Sequence, residues 1–320
     1  QRDKVPTAMW FVEDHEVFPY WKAFAPLYDT FAVIQKGNFP ACLSEVGQPN
    51  AFYLPLAADP SVHHPLSLSP LERRKYGSEL SFVGAGYPNR RLAFRQLINY
   101  DLRIWGNDWD GEYLLTPFLQ RNGQRIDTDE IVRIFNASTI NINLHSSVRP
   151  GTLIAGGDFV NPRTFELAAC GAFQLVDRRT LLPELFTADE LAVFDSMSGL
   201  LQAVEHYRAN PEARAEIAAR GRARVLAEHT YVHRMDTLMA HLQSLMPPKT
   251  GDPSWLEEIP SDLREDLDRL LAKLGLNPSA SFQDVVCAVR GQGGRLGRLE
   301  TAILFLDEWK KQYTPKRPEK

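Results

Sequence analysis

Up to about residue 246 the chain alternates between two kinds of segment. Short runs that are apolar on both faces read as buried strands: TAMWFV (7–12), TFAVIQ (30–35), AFYLPL (51–56), LSFVG (80–84), LRIWG (102–106), ININL (140–144), AFQLVD (172–177) and LAVFD (191–195). Between many of them RRLAFRQLINY (90–100), DTDEIVRIFNAS (127–138), PRTFELAAC (162–170) and SGLLQAVEHYRA (198–209) carry the apolar spacing of helices. Strand–helix alternation with strands apolar on both faces predicts an α/β fold, a parallel sheet with helices on both sides. The alternation breaks at ADPSVHHPLSLSPLERRKYGS (58–78), whose prolines and serines mark a connection between domains, and again at MPPKTGDPSW (246–255). Beyond the second break, SDLREDLDRLLAKLG (261–275) and GRLETAILFLDEWKKQ (297–312) predict a helical tail, with GQGG (291–294) between them and TPKRPEK (314–320) frayed. Three regions follow: residues 1–65 as the last strands of a first α/β domain, 66–247 as a second, and 248–320 as the tail. Only three strands precede the first break and Gln1 is not Met, so the front of the first domain is expected to be missing.

Composition narrows the classes. A hydrophobic fraction of 44% and a net charge of −4 describe ordinary globular material and no general polyanion binder, so nucleic acid is not expected as a partner. Three separated cysteines, Cys42, Cys170 and Cys287, form no CxxC pair and predict reduced thiols in a cytoplasmic protein. No apolar run approaches the roughly 18 residues of a membrane span.

Ligands of an open parallel sheet sit outside the carboxyl ends of its strands, so the loops there are the places for chemistry. In GDFVNPRTFELAACGAFQLVD (157–177), Asn161 is a favoured helix cap, Pro162 fits the first helical position and Gly171 a left-handed stop. The amino end of that helix is an anion site, to which Arg163 adds a charge able to fork onto phosphate. Thr164 sits in the same turn. Glu166, one turn in, can accept hydrogen bonds from a vicinal diol, and Asp158 lies just before the helix. A nucleotide sugar matches this order: ribose on Glu166, diphosphate at the helix nose, sugar towards Asp158. The competing reading makes both acids solvated surface charges. In FVGAGYPNRR (82–91), Gly84 and Gly86 would let backbone N–H groups approach a phosphate, with Arg90 opening the next helix; a dinucleotide fingerprint and a structural tight turn compete. His145 and Ser146, after ININL, could donate to a phosphate or sugar hydroxyl, against a structural reading of the histidine. Two Asp-x-Asp triplets, 108–110 and 127–129, raise a metal alternative. A helix start explains the second and a turn the first. His229 and His233, one turn apart, read as part of an amphipathic helix, and Asp14 and His15, at the end of the first strand, either face a ligand cleft or form an exposed loop pair.

IQKGNF (34–39), YLPLAADP (53–60), LSFVGAGYPNRR (80–91), DEIVRIFNASTININLHSS (129–147), the 157–177 block and HTYVHRM (229–235) resemble the CgeB-type glycosyltransferase family, in the wider GT4-like group. The likeness runs from about residue 5 to 246. It implies a GT-B architecture, two Rossmann-like domains facing across a cleft, with the second holding the nucleotide-sugar donor. The group's acid-x7-Glu signature falls on Asp158 and Glu166, with Asp where Glu is commoner. Its glycine-and-basic loop falls on Gly84, Gly86 and Arg90, and a basic loop near the nucleobase on Arg125. The implied activity is sugar transfer from a nucleotide-diphosphate sugar to an unknown acceptor in a bacterial cytoplasm, with no cofactor and no metal. Asp158 and His145 would be catalytic. Gly84, Gly86, Arg90, Arg125, Ser146, Asn161, Arg163, Thr164 and Glu166 would bind the donor. The alternative is a non-catalytic module that binds sugar nucleotides or serves assembly on the same scaffold.

Overall fold

The structure, a computed structural model, describes residues 6–147, 153–154, 156–245 and 260–313. Contacts divide the chain into two compact units, Gln1–Leu245 and Met246–Lys320. All eight runs expected as strands are strands, and every pairing is parallel. β1 (Ala8–Phe11), β2 (Thr30–Val33) and β3 (Ala51–Tyr53) form one sheet in that order, with Ala8 beside Thr30 and Phe31 beside Ala51. Helices α1 (Trp21–Phe24) and α2 (Phe39–Glu45) lay Trp21, Phe39 and Leu43 on its Phe11, Phe31 and Val33.

β4 (Leu80–Val83), β5 (Leu102–Trp105), β6 (Ile140–Asn143), β7 (Gln174–Asp177) and β8 (Ala192–Phe194) form the second sheet, ordered β5-β4-β6-β7-β8. Before it stands α3 (Pro70–Tyr76), inside the segment expected as an irregular connection. Its signal was present in Ser-Pro-Leu-Glu: Ser69 and Glu72 form a reciprocal capping box and Pro70 takes the first helical position. Helices α4 (Pro88–Phe94), α5 (Thr128–Ala137), α6 (Pro162–Ala169), α7 (Met197–Ala209), α8 (Pro211–Glu228) and α9 (Tyr231–Leu245) complete the first unit. One face of the second sheet, with Phe82, Ile104, Ile142 and Leu175, packs on Phe94 of α4 and Leu200 and Val204 of α7. The other face meets Val132 and Phe135 of α5, Phe165 and Leu167 of α6, and Val225 of α8. Burial of both faces explains why these strands read as continuous apolar runs.

The chain steps outward from β4 to β5 and then crosses back to β6. That reversal opens a crevice at the carboxyl ends of β4 and β6, where such sheets bind ligands. α9, in the segment that the sequence assigned to the second domain, returns to the first sheet. There His241 stacks on Phe52 at 3.9 Å between ring centroids and its Nε2 lies 2.9 Å from Thr30 Oγ1. The second unit is a helical group by itself. α10 (Ser261–Leu274), α11 (Phe282–Gly291) and α12 (Arg298–Tyr313) close around Leu267, Leu271, Val285, Val286, Val289 and Ile303. α11 was not anticipated, although Ser281 and Asp284 form its capping box. The frayed end expected at 314–320 and the break expected at 246–255 lie outside the described residues. Among the described residues no helix is long and apolar enough to cross a membrane.

Candidate functional site

β6 alternates Ile140 and Ile142 on one face with Asn141 and Asn143 on the other, and the second pair builds the site from beneath. Asn143 Nδ2 donates to Thr164 Oγ1 at 2.9 Å and to Gln174 Oε1 at 3.0 Å, while Asn161 Nδ2 donates to Asn143 Oδ1 at 2.8 Å. Asn161 Oδ1 in turn accepts from Thr164 N and Oγ1, both at 3.1 Å. The helix cap is thus bolted to the end of β6 by a fully paired buried polar network, the arrangement that fixes position most firmly. Pro162 has no amide hydrogen and Thr164's is taken by the cap. Arg163 N is left as the first-turn amide without a hydrogen bond among the described residues.

His145, one residue beyond Leu144, is fully buried and positions the same helix. Its backbone N donates to Asp177 Oδ1 at 2.8 Å, its Nδ1 lies 2.6 Å from that oxygen, and its Nε2 accepts from Asn161 N at 2.8 Å. Acceptance at Nε2 places the proton on Nδ1. Burial pushes the ring's pKa down, keeping it neutral. Burial alone would raise Asp177, but the His145 ring and the Arg179 guanidinium reverse that and hold its carboxyl below the ordinary value. Both ring nitrogens are therefore committed, and the hydrogen bond to a ligand expected of His145 is replaced by one to the helix cap. Thr164 is corrected likewise: it is wholly buried, with hydroxyl and amide both engaged inside the network.

Gly84 and Gly86 do not offer their amides to a phosphate. Gly84 N donates to Trp105 O at 2.8 Å and Gly86 N to Asn107 O at 3.0 Å. A Cβ on Gly86 would stand 2.2 Å from Asp108 O, so glycine is required by close packing of two loops. The structural-turn reading holds there. Arg90 does occupy the crevice. Its Nε donates to Leu144 O at 2.9 Å and its Nη1 to Ala85 O at 3.0 Å, joining the β4 and β6 ends, while Nη2 has no partner among the described residues. Desolvation brings this guanidinium down to about 10, and Asp177 and Arg163 are near enough to act on its charge. It remains cationic at neutral pH.

On α6, Arg163 Nη1 pairs with Glu166 Oε2, and the Arg163 guanidinium lies over the Phe135 ring at 5.2 Å. The Glu166 side chain keeps 16% of its surface exposed, so it is neither solvated freely nor packed away. Asp158 is engaged from the other sheet. Its Oδ1 accepts from Gln35 Nε2 at 3.2 Å and its Oδ2 from Lys36 N at 2.7 Å, both in the loop after β2. His15, with its N–H donating to Gln35 Oε1 at 3.0 Å, holds that glutamine. A cleft of about 180 Å³ opens between the sheets, lined by Glu13, Asp14 and Phe18 from one side and Tyr87, Ser146 and Asn161 from the other. Ser146 and the helix cap thus face the first sheet's loop. Arg125 stands exposed before α5 and enters none of these contacts.

The metal readings find structural roles instead. Asp127 caps α5 by accepting from Glu130 N at 2.8 Å, and Asp108 sits in a left-handed turn with φ of 62°. His229 and His233 lie on different elements. His229 follows α8 with Nε2 2.7 Å from Leu185 O and Nδ1 2.9 Å from Arg234 Nη2, while His233, within α9, holds Thr230. Among the described residues no group of three or more metal-ligating side chains converges. Residues that sequence reading missed are Asp177, Gln35 and His63. Of these only Asp177 carried a signal, a charge at the carboxyl end of an otherwise apolar strand.

A family model described as glycosyl transferase-like matches residues 67–240. The spore protein CgeB of Bacillus subtilis strain 168 is 25% identical over 252 residues, covering 75% of each chain. Among solved structures, HepE of Anabaena in complex with UDP and glucose superposes with a TM-score of 0.57 at 11% identity, over 75% of this chain and 72% of that one. Sucrose-phosphate synthase of Thermosynechococcus elongatus does so with a TM-score of 0.51 at 15% identity, over 73% of this chain but only 63% of its own. At these identities the structural likeness is one of fold, the GT-B arrangement of parallel α/β layers.

Proposed function

We propose, since this chain belongs to the glycosyl transferase-like family, that it moves a sugar from a nucleoside-diphosphate sugar to an acceptor. The observation that carries the reading is the crevice between β4 and β6. There Arg90 keeps an Nη2 with no partner among the described residues, near a capped helix whose Arg163 amide and side chain supply further positive charge and whose Glu166 stays partly open. In this reading the Glu166 carboxylate accepts hydrogen bonds from the ribose, and the diphosphate lies across the α6 amino end and Arg90. As the bond from sugar to diphosphate breaks, negative charge grows on the departing phosphate. Fixed donors aimed at that charge lower the barrier without moving. Two guanidinium groups and a helix end can meet this need with no metal ion. The complex of HepE with UDP and glucose makes UDP the first nucleoside diphosphate to try.

Calorimetric titration with UDP and GDP tests this directly. Wild type should bind one of them, and Glu166→Ala should weaken that binding by at least about tenfold, the loss of more than one charge-assisted hydrogen bond, with an unchanged melting temperature. Equal affinity in wild type and variant would remove Glu166 from the ribose. One observation favours the non-catalytic alternative: Asp158, the acid nearest the sugar in the expected order, has both oxygens occupied by the β2 loop. Slow hydrolysis of the bound nucleotide sugar in water separates the two readings, since a binding module would leave it intact.

A further inference from the structure

His63 stands in the segment between the two sheets and turns towards Glu166. Its backbone N–H donates to Asp59 O at 2.7 Å, closing a turn that sets where the ring leaves the chain. The ring is buried. Nε2 lies 4.0 Å from Glu166 Oε1, and Nδ1 has no hydrogen-bond partner among the described residues. A buried N–H without an acceptor is rarer and costlier than a buried lone pair without a donor. The proton therefore sits on Nε2, aimed at the carboxylate.

The two atoms are too far apart to bond directly, since such bonds close at about 2.7–3.2 Å. The second carboxylate oxygen, Oε2, is already held by Arg163 Nη1. What the 4.0 Å gap admits is a single hydroxyl seated to one side, about 2.8 Å from each atom. Such a group accepts from Nε2–H and donates to Oε1 at once. A methylene in its place can do neither, and would leave both polar atoms unpaired in a largely dry pocket.

We propose that His63 is a second ribose ligand, which together with Glu166 brackets one hydroxyl of the donor nucleoside and makes the site select ribonucleotides over the matching deoxyribonucleotide. This deepens the donor reading above and rests on it. His63 contributes a donor and Glu166 an acceptor, so the pair favours a group that both accepts and donates, as a hydroxyl does, and rejects an ether or a methylene.

The test is calorimetric binding of UDP, 2′-deoxy-UDP and 3′-deoxy-UDP (or the guanosine series, whichever wild type binds) to wild type, His63→Phe, His63→Gln and Glu166→Ala. Phenylalanine keeps the ring's shape and deletes the orphaned nitrogen, so His63→Phe should melt no lower than wild type. Wild type should bind one deoxy analogue about tenfold more weakly than the ribonucleotide, as expected when polar groups are left unpaired. His63→Phe should lose about fivefold for the ribonucleotide, the value of one neutral hydrogen bond, and nothing for that analogue. His63→Gln, which keeps an amide donor, should recover part of the discrimination. If Glu166→Ala abolishes binding while His63→Phe keeps the wild-type ratio, the donor reading stands and the role of His63 is overturned. Uniform loss of all ligands together with a lower melting temperature would make His63 a packing residue and overturns it too. Failure of wild type to bind any nucleoside diphosphate would bring down the donor reading itself.

Discussion

His145 is held in one tautomer by Asp177 and Asn161, which lie 32 and 16 positions away along the chain. Its neutral state makes the site pH-sensitive. The folded-state pKa is depressed below the ordinary 6.5, so in acid the unfolded chain takes up a proton that the folded ring refuses. Stability is then full above about 6.5 and falls as pH drops below it. Asp177, also depressed in the folded state, adds a further loss in the same direction at lower pH. Chemical denaturation at a series of pH values should show stability declining from pH 7 to 5, and His145→Phe should flatten that decline. Asp177→Ala removes the acceptor of both His145 N and Nδ1 and should cost about 3 kcal/mol, the penalty for donors left unpaired in a dry interior. At this scale residue type singled out Glu166, Arg163 and Arg90, and the structure leaves Glu166 partly exposed and Arg90 at the ends of β4 and β6. For His145 and Thr164 it misled, because a polar group's availability depends on what the rest of the chain has already claimed. Gln35 and His63 gave no local sign at all, since their partners Asp158 and Glu166 are more than a hundred residues away.

Short-range rules account well for the elements themselves. α6 runs from Pro162 to Ala169, with Asn161 as cap and Gly171 in the left-handed region at φ of 63°, as its local sequence requires. Asn161→Ala should cost more than the ordinary cap value of about 1 kcal/mol, because its amide also ties Asn143. Thermal unfolding would expose this as a larger drop than Asp127→Ala, where the cap of α5 is exposed. Gly86→Ala should be worse than Gly111→Ala, where an added Cβ would meet nothing within 4 Å. The methyl group of Gly86→Ala would meet the backbone carbonyl of Asp108, which cannot move without pulling Trp109 from the core. A melting temperature of Gly86→Ala equal to that of wild type would contradict the close-approach account of this loop. Two of the elements overlooked, α3 and α11, are short and begin with capping boxes. Composition hid them: α3 follows a proline- and serine-rich stretch, and α11 is rich in β-branched valine, which favours strands when read by propensity alone.

For the whole molecule, the connection between the sheets is clamped by the far end of the first unit. Arg234 Nε donates to Pro55 O at 2.8 Å, its Nη2 to Leu56 O at 3.0 Å, and its Nη1 to Glu228 O at 3.0 Å, while Ala58 pairs with Thr230 as a bridge. Every residue assigned to the donor site belongs to the first unit, and the second unit has its own core. A chain ending at Leu245 should therefore bind the nucleoside diphosphate within about twofold of the full chain, well under the effect of one hydrogen bond. A tenfold loss on calorimetry would place part of the site in Met246–Lys320. By itself the amino-acid order determined the eight strands, their parallel pairing class, helices α4 to α7, α10 and α12, and the cap and stop of α6. All of these follow from apolar period and end-capping, which act over a few residues. Tertiary structure alone decided which polar atoms stay open to a ligand: Arg90 and Glu166 do, whereas His145, Thr164 and the amides of Gly84 and Gly86 are spent on the protein. The reason is that hydrogen-bonding capacity is finite. Who consumes it is settled by neighbours that the fold, and not the sequence spacing, brings within 3 Å.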